Sequence, residues 1–444
     1  MSRHGMFPLY AAAAAMTACE SLVFAYLPIA LYWRTGEQAL PAIALITAAP
    51  AVVRFFAAQG WGVAIDRTRR QKPFIVAGLA AHAVLLALLA AAEDVGRAVL
   101  LVSAGAAVYS AVSPAARTAA TLADERASGG RAPLRILPGL LKAESVGWLI
   151  GGMLPGYLLD HTALEMPSLL RGAGVLASLT ALAAIIWLRD AAMDPARPGH
   201  AKEGAAAPDP APAPAPPRLE QPAAAAKDGL LTLYRRPEFA GLLLALFFIF
   251  FAREAFFTVY GIYLTELGGS TTLYGASISI ATLLGIGLYD AAARLVRRWG
   301  DVRLVRVTGA VYVLGYGVTV LWPNPWVLAA YFSLPLFPFL TMASAAAAAA
   351  RSEARERGRS LGILEAVDLL AVALGSTSAG SAAARWGLAS VPVLALSVGS
   401  AGLLLSSRLR RWTGARRNAA LTRGAPDGGA QAQAGHWQGM SKNS

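Results

Sequence analysis

The chain has 444 residues, 56% of them hydrophobic and 15% charged, with 39 Lys and Arg against 26 Asp and Glu for a net charge of +13. That is too apolar for a soluble domain of this length. The basic excess does not mark a nucleic-acid binder, because it is spread over short loops instead of forming one groove-sized face.

Crossing a ~30 Å hydrocarbon layer takes roughly 20 apolar residues in a helix rising ~1.5 Å per residue. Twelve such spans are expected, in chain order 7–33, 41–63, 74–92, 98–121, 138–159, 172–188, 238–264, 273–293, 305–322, 327–350, 361–384 and 389–407. In the first, Met16-Thr17-Ala18-Cys19 faintly matches a lipoprotein cleavage box. Apolar sequence resumes at Leu22 and continues to Trp33, too long for the core of a cleaved leader, so no cleavage is expected. Cys19, the lone cysteine, cannot form an internal disulfide and reads as a small packing residue. Glu20 lies near the middle of this span and Arg54 at similar depth in the second. A charge at that depth is costly enough to be a functional suspect, and the plainer alternative is a Glu20–Arg54 ion pair that holds helices together.

Between the second and third spans the chain reads Gly62-Val63-Ala64-Ile65-Asp66-Arg67-Thr68-Arg69-Arg70. A glycine near a helix end permits close approach of a neighbour, Asp66 suits the positive N-terminal end of another helix, and Arg70 offers bidentate pairing to a carboxylate. The stretch resembles the signature loop G-x-x-x-D-R-x-G-R of the major facilitator superfamily, with Arg69 where the second glycine is usual. That resemblance implies a cytoplasmic gate made of Gly62, Asp66, Arg67 and Arg70, with Asp124 at the end of the fourth span as the partner of Arg70. A merely topogenic basic loop is the alternative reading.

Arg117 in span four and Glu144 in span five belong to consecutive spans and are candidates for a gate or interface pair. Span five also reads Gly147-Trp148-Leu149-Ile150-Gly151-Gly152-Met153-Leu154-Pro155-Gly156, a glycine face suited to close helix packing. It looks like a degraded form of the antiporter motif G-x-x-x-G-P-x-x-G-G, which leans toward export. Against this, Leu101 stands where many proton-coupled relatives carry an arginine.

After span six the stretch 189–236 contains Ala-Pro-Asp-Pro-Ala-Pro-Ala-Pro-Ala-Pro-Pro at 207–217, a composition that favours extended backbone and reads as a linker. Residues 1–188 and 237–411 are therefore taken as two six-helix bundles, and 412–444 as a disordered polar tail.

Span seven carries Arg253 and Glu254, of which helical geometry lets one point squarely at a central cavity. Glu254 shares its face with Phe247, Phe250, Phe257 and Gly261, surroundings suited to a proton or a lipophilic cation. Between spans eight and nine a worn copy of the signature loop places Ala293, Arg297, Arg298 and Asp301 opposite Gly62, Asp66, Arg67 and Arg70, so the loop acid is missing from the second copy. Lys142, Asp290, Glu365 and Asp368 lie near span ends and read as gate or interface residues. Pro335 and Pro338 predict a bend in span ten.

Most Lys and Arg of the loops fall on one side, among them Arg67, Arg70, Arg126, Arg297, Arg298, Arg351 and the Arg408–Arg417 cluster, whereas Arg34, Arg97, Arg171 and Arg385 fall on the other. The bias predicts a plasma (inner) membrane protein with both termini and the linker cytoplasmic. No phosphate loop and no metal-spaced His/Cys/Asp cluster is found in the sequence, so neither an enzyme nor a cofactor is expected.

The chain is thus identified as an all-α membrane protein, with twelve transmembrane helices in two six-helix bundles, resembling the major facilitator superfamily. The resemblance implies alternating access around a central cavity lined by spans one and seven, with Glu20, Arg54, Arg253 and Glu254 as candidates for the proton or substrate site. The expected partners are a small-molecule substrate, protons and membrane lipid, with no nucleic acid. Proton-coupled export of a lipophilic small molecule leads, with Glu20 as proton carrier. Proton-coupled uptake of a polar solute such as a sugar or nucleoside, and a transport-inactive scaffold, stand as alternatives.

Overall fold

The computed structural model describes residues 6–68, 70–128, 136–188, 236–352 and 357–423, and among these the regular structure is entirely helical. The helices are α1 (Phe7–Ser21), α2 (Leu27–Thr35), α3 (Leu40–Thr68), α4 (Lys72–Leu89), α5 (Val95–Tyr109), α6 (Val112–Ser128), α7 (Ile136–His161) and α8 (Met166–Trp187) in the N-terminal half. The C-terminal half holds α9 (Pro237–Glu266), α10 (Thr271–Trp299), α11 (Asp301–Leu321), α12 (Pro325–Phe332), α13 (Leu336–Ala350), α14 (Arg357–Trp386) and α15 (Ser390–Arg423). Residues of the expected linker, 189–235, lie outside the described residues.

Among the described residues ten segments are long and apolar enough to cross a membrane, or eleven when α12 and α13 count as one bent span. The expected fifth span, α7, is not among them. Its glycines, Pro155, Lys142 and Glu144 lower its mean hydropathy, although it forms 26 residues of continuous helix. Apolar residues face outward in stripes, such as Val175, Leu179, Leu182 and Ile186 of α8, the expected covering of a helix in lipid, where backbone polar groups must be satisfied within the helix itself.

Local sequence sets the joints. A π-helical turn, Leu22–Tyr26, links α1 to α2, because Pro28 has no N–H to donate and its ring crowds the carbonyl four residues earlier. At Ser333–Pro335 the chain bends by 42° between α12 and α13, the bend expected of Pro335 and Pro338. Gly300 alone separates α10 from α11, with φ +84, a left-handed conformation that glycine adopts without a Cβ penalty. The final helix runs to Arg423, so the boundary expected at residue 411 falls inside it. Residues 412–423 include three Arg and three Ala, all good helix formers.

Within the N-terminal half α1 packs along α7 and α4 against α8; within the C-terminal half α9 packs against α14 and α15. The halves meet along two seams, α7 with α10 and α3 with α14. We call the face where α1 begins proximal and the opposite face distal.

Candidate functional site

The α7–α10 seam is built on missing side chains. A Cβ on Gly156 would overlap the Thr271 carbonyl, and one on Gly275 would overlap the Gly152 carbonyl and the Tyr26 hydroxyl. Tyr26 is fully buried, donates its hydroxyl to the Gly152 carbonyl and meets Tyr274 edge-on at 5.3 Å. Ser279 Oγ donates to the Leu149 carbonyl (3.0 Å). At the distal rim Asp160, one residue beyond the span expected at 138–159, accepts from the backbone N–H groups of Thr271 (3.2 Å) and Thr272 (2.6 Å) and from Thr271 Oγ1 (2.6 Å). Partial burial pushes the Asp160 carboxyl up, but hydrogen bonds from Thr271, Thr272 and Ser270 outweigh it and hold the group below its ordinary value. The second seam closes at the same face, where Gly380 of α14 lies against Leu40 and Pro41 of α3.

Toward the proximal face the seams part. Between α7 and the C-terminal half lies a cavity of about 390 Å³, within the size range of small-molecule pockets. Ser145 and Trp148 of α7 form one wall; Arg253, Glu254 and Phe257 of α9 form another. Tyr289, Tyr312, Tyr316 and Tyr331 add aromatic faces and hydroxyls. The wall behind is stiffened by stacking of Tyr260 on Phe332, with centroids 3.4 Å apart. Between α3 and α14 the matching gap is a smaller apolar groove lined by Val52, Phe55, Phe56 and Leu370.

One charged cluster sits in the cavity wall. Arg253 Nε donates to Glu254 Oε1 (2.6 Å) and Nη2 to Asp368 Oδ1 (2.8 Å). The guanidinium lies over the rings of Phe250 and Phe337, at 5.1 and 5.7 Å. Both Arg253 and Glu254 line the cavity, in contrast to the expectation that one residue of the pair would do so. The long Arg253 side chain turns back toward its neighbour's carboxylate, so the angle between adjacent positions does not decide exposure. Asp368, expected as a gate or interface residue, completes this cluster.

Glu20 and Arg54 form an ion pair at 3.5 Å, and neither lines the cavity. Helix α7 is packed on α1 so closely that a Cβ on Gly147 or Gly151 would overlap the Ala14 or Ala18 carbonyl. Glu20 is buried, whereas the Arg54 side chain is 35% exposed.

At the proximal rim Arg117 and Glu144 lie 3.6 Å apart. Gly62 has no atom within 4 Å of a would-be Cβ, so in this conformation it supports no close helix approach, contrary to the sequence expectation. The cause is the parting of α3 from α14 on this side. Arg67 and Arg70 are exposed. The side chains of Asp66 and Asp124 lie outside the described residues. In the second copy of the loop Asp301 pairs with Arg351 at the end of α13 (2.8 Å), and the same Arg351 nitrogen donates to the Ala347 carbonyl (2.7 Å). Asp301 aligns with Arg70, and Arg351 ends span ten as Asp124 ends span four. The second copy thus carries an acid–base pair in the arrangement expected of Arg70 and Asp124, with the charges exchanged. Among the described residues no cluster of metal-ligating side chains occurs.

The fold is that of membrane transporters. A family model, the MFS_1 like family, matches residues 21–385. Solved structures similar to this chain include the nucleoside transporter NupG in mutant form, with TM-score 0.72 and 10% identity over 91% of this chain and 99% of that one. A bacterial homologue of the human lysosomal transporter Spinster, inward-facing and occupied, gives TM-score 0.68 and 13% identity over 91% of this chain and 96% of that one. No curated protein matches in sequence.

Proposed function

The chain belongs to the MFS_1 like family, and on that premise we propose that it is a secondary active transporter that exports a lipophilic small molecule in exchange for protons. The observation that carries this reading is one cavity between the halves, shut on the distal side by the α7–α10 seam and lined by aromatic rings beside Glu254. Twelve spans in two six-helix bundles rock about it, with the proximal face cytoplasmic, both termini inside, and the protein in the plasma (inner) membrane. Asp66, Arg70 and Asp124 close the cytoplasmic gate in the opposite state.

The substrate side of this proposal rests on the cavity wall. Aromatic faces attract an organic cation, and one guanidinium held by two carboxylates has no ready charge for an anion. Glu20 is the proton carrier: it is buried, and its partner Arg54 is partly open to solvent, so the pair can exchange a proton without passing through the substrate cavity. Glu254 is the second acid. The tyrosine hydroxyls and Thr282 in the same wall support a second reading, proton-coupled uptake of a polar solute.

Proteoliposomes carrying an internal pH dye test both. Lipophilic cations are expected to drive a pH change that Glu20→Gln abolishes, roughly a hundredfold loss of coupled flux for removal of a proton-transfer group. Sugars or nucleosides driving flux of the opposite sign would favour uptake. A full biological effect of Glu20→Gln without any flux would leave the scaffold reading.

A further inference from the structure

We propose that Asp160 is a latch for the distal face: it is carried by the end of α7 in one half, completes the N-terminal cap of α10 in the other, and must let go whenever that face opens. The inference deepens the alternating-access reading and rests on it.

The first turn of any helix leaves four N–H groups without intrahelical partners. In α10 one is met locally, since Leu273 N donates to Ser270 Oγ (3.1 Å), while Tyr274 N makes the first helical bond, to the Ser270 carbonyl (3.1 Å). Two more, Thr271 N and Thr272 N, both go to the Asp160 carboxylate, which is 111 residues away in sequence from Thr271. The cap is therefore divided between the halves. Thr271 is buried, and its hydroxyl lies within reach of both Asp160 Oδ1 (2.6 Å) and the Gly156 carbonyl (2.9 Å), so the contact continues inward from the rim to the glycine seam. A carboxylate at this position also meets the partial positive charge of the helix end.

Opening the distal face breaks these bonds together and returns two N–H groups and a carboxylate to water. Because the rim is solvated there, water replaces much of what is lost. The latch thus biases the resting population toward distal closure without locking it.

The population is read by pulsed electron paramagnetic resonance between spin labels at Leu164 and Trp322. Both are exposed near the distal ends of opposite halves, and the lone Cys19 is replaced by serine. Asp160→Asn, which turns an acceptor oxygen into a donor facing two N–H groups, is expected to raise the open-to-closed ratio about tenfold. Asp160→Glu is expected to restore most of it. Thr271→Pro breaks the latch from the other side, at a first helical position that accepts proline and after Ser270, whose backbone is already extended (ψ 160). It is expected to shift the ratio in the same direction.

An unchanged distribution in Asp160→Asn and Thr271→Pro, in a protein that still samples two distances, overturns the latch and spares alternating access. So does a lowered melting temperature in both variants with no population shift, which marks a purely structural role. A single fixed distance between these labels in parent and variants, with substrate added, overturns the transport reading itself.

Discussion

The distal seam and the proximal rim are built by opposite means. At the seam backbone comes close to backbone, with Gly156 against Thr271, Gly152 against Gly275, and Gly380 against Leu40. At the rim the charged pairs Arg117–Glu144 and Asp301–Arg351 each lie within one half, and Gly62 faces open space. In lipid no hydrophobic force draws one apolar helix face to another, so close approach of small residues is what makes a seam. A seam of that kind separates without stranding buried charge. The rim pairs do not have to break when the halves rock, since each travels with its own half.

The comparison is broken most forcefully by Gly275→Val. Its side chain has no room between the Gly152 carbonyl and the Tyr26 hydroxyl, and overpacking there should cost about 3 kcal/mol of the distal-closed state. The Leu164–Trp322 distance and melting then report a protein that is less stable or held open distally. A variant indistinguishable from the parent would mean that the seam is not tight.

A smaller effect is expected at the rim. Asp301→Asn removes the charge that Arg351 meets but leaves its bond to the Ala347 carbonyl, and about 2 kcal/mol should be lost for a largely buried guanidinium short of its partner. The exchange Asp301→Arg with Arg351→Asp should recover most of that loss, because it reproduces the order of charges expected in the first copy of the loop. Loss in the exchanged protein equal to that of the two single variants added together would separate the two copies in role.

Much of the helical framework was legible because its signal is local: apolar runs of sufficient length, prolines at the Ser333–Pro335 break, and glycine at a one-residue joint such as Gly300. The fifth span was harder to weigh by composition, since the glycines that let α7 lie against α1 and α10 are the residues that lower its hydropathy. What sequence did not reveal depends on contacts between distant segments. Asp160 sits one residue past its expected span, and the role of an acid against a helix N-terminus was given to Asp66. The signal was an acid closing span five opposite the Ser270-Thr271-Thr272 start of span eight. The Asp301–Arg351 pair is not legible in the sequence, because the worn loop copy lacks an acid at the position of Asp66 and Asp301 holds the exchanged partner of a different position. That Glu20 pairs with Arg54 at 3.5 Å depends on how α1 and α3 come together, which no spacing within α1 encodes.

The mildest substitution sharpens the comparison most. Among the described residues a Cβ on Gly62 would meet nothing beyond its own helix within 4 Å in this conformation, and Gly62 lies inside the helix Leu40–Thr68, where glycine is less favourable than alanine by roughly 0.5–1 kcal/mol. Gly62→Ala should therefore leave the protein as stable or slightly more so, the reverse of Gly275→Val. If Gly62 is the counterpart of the distal glycines, reserved for the state in which the proximal face closes, the added methyl acts only on that state. Thermal melting should then rise by no more than a few degrees, while the distal-open population and substrate flux both fall. Equal flux at higher stability would mean that the proximal face closes through side chains alone, and the glycine in the signature loop would owe its place to the helix end instead of to a second seam.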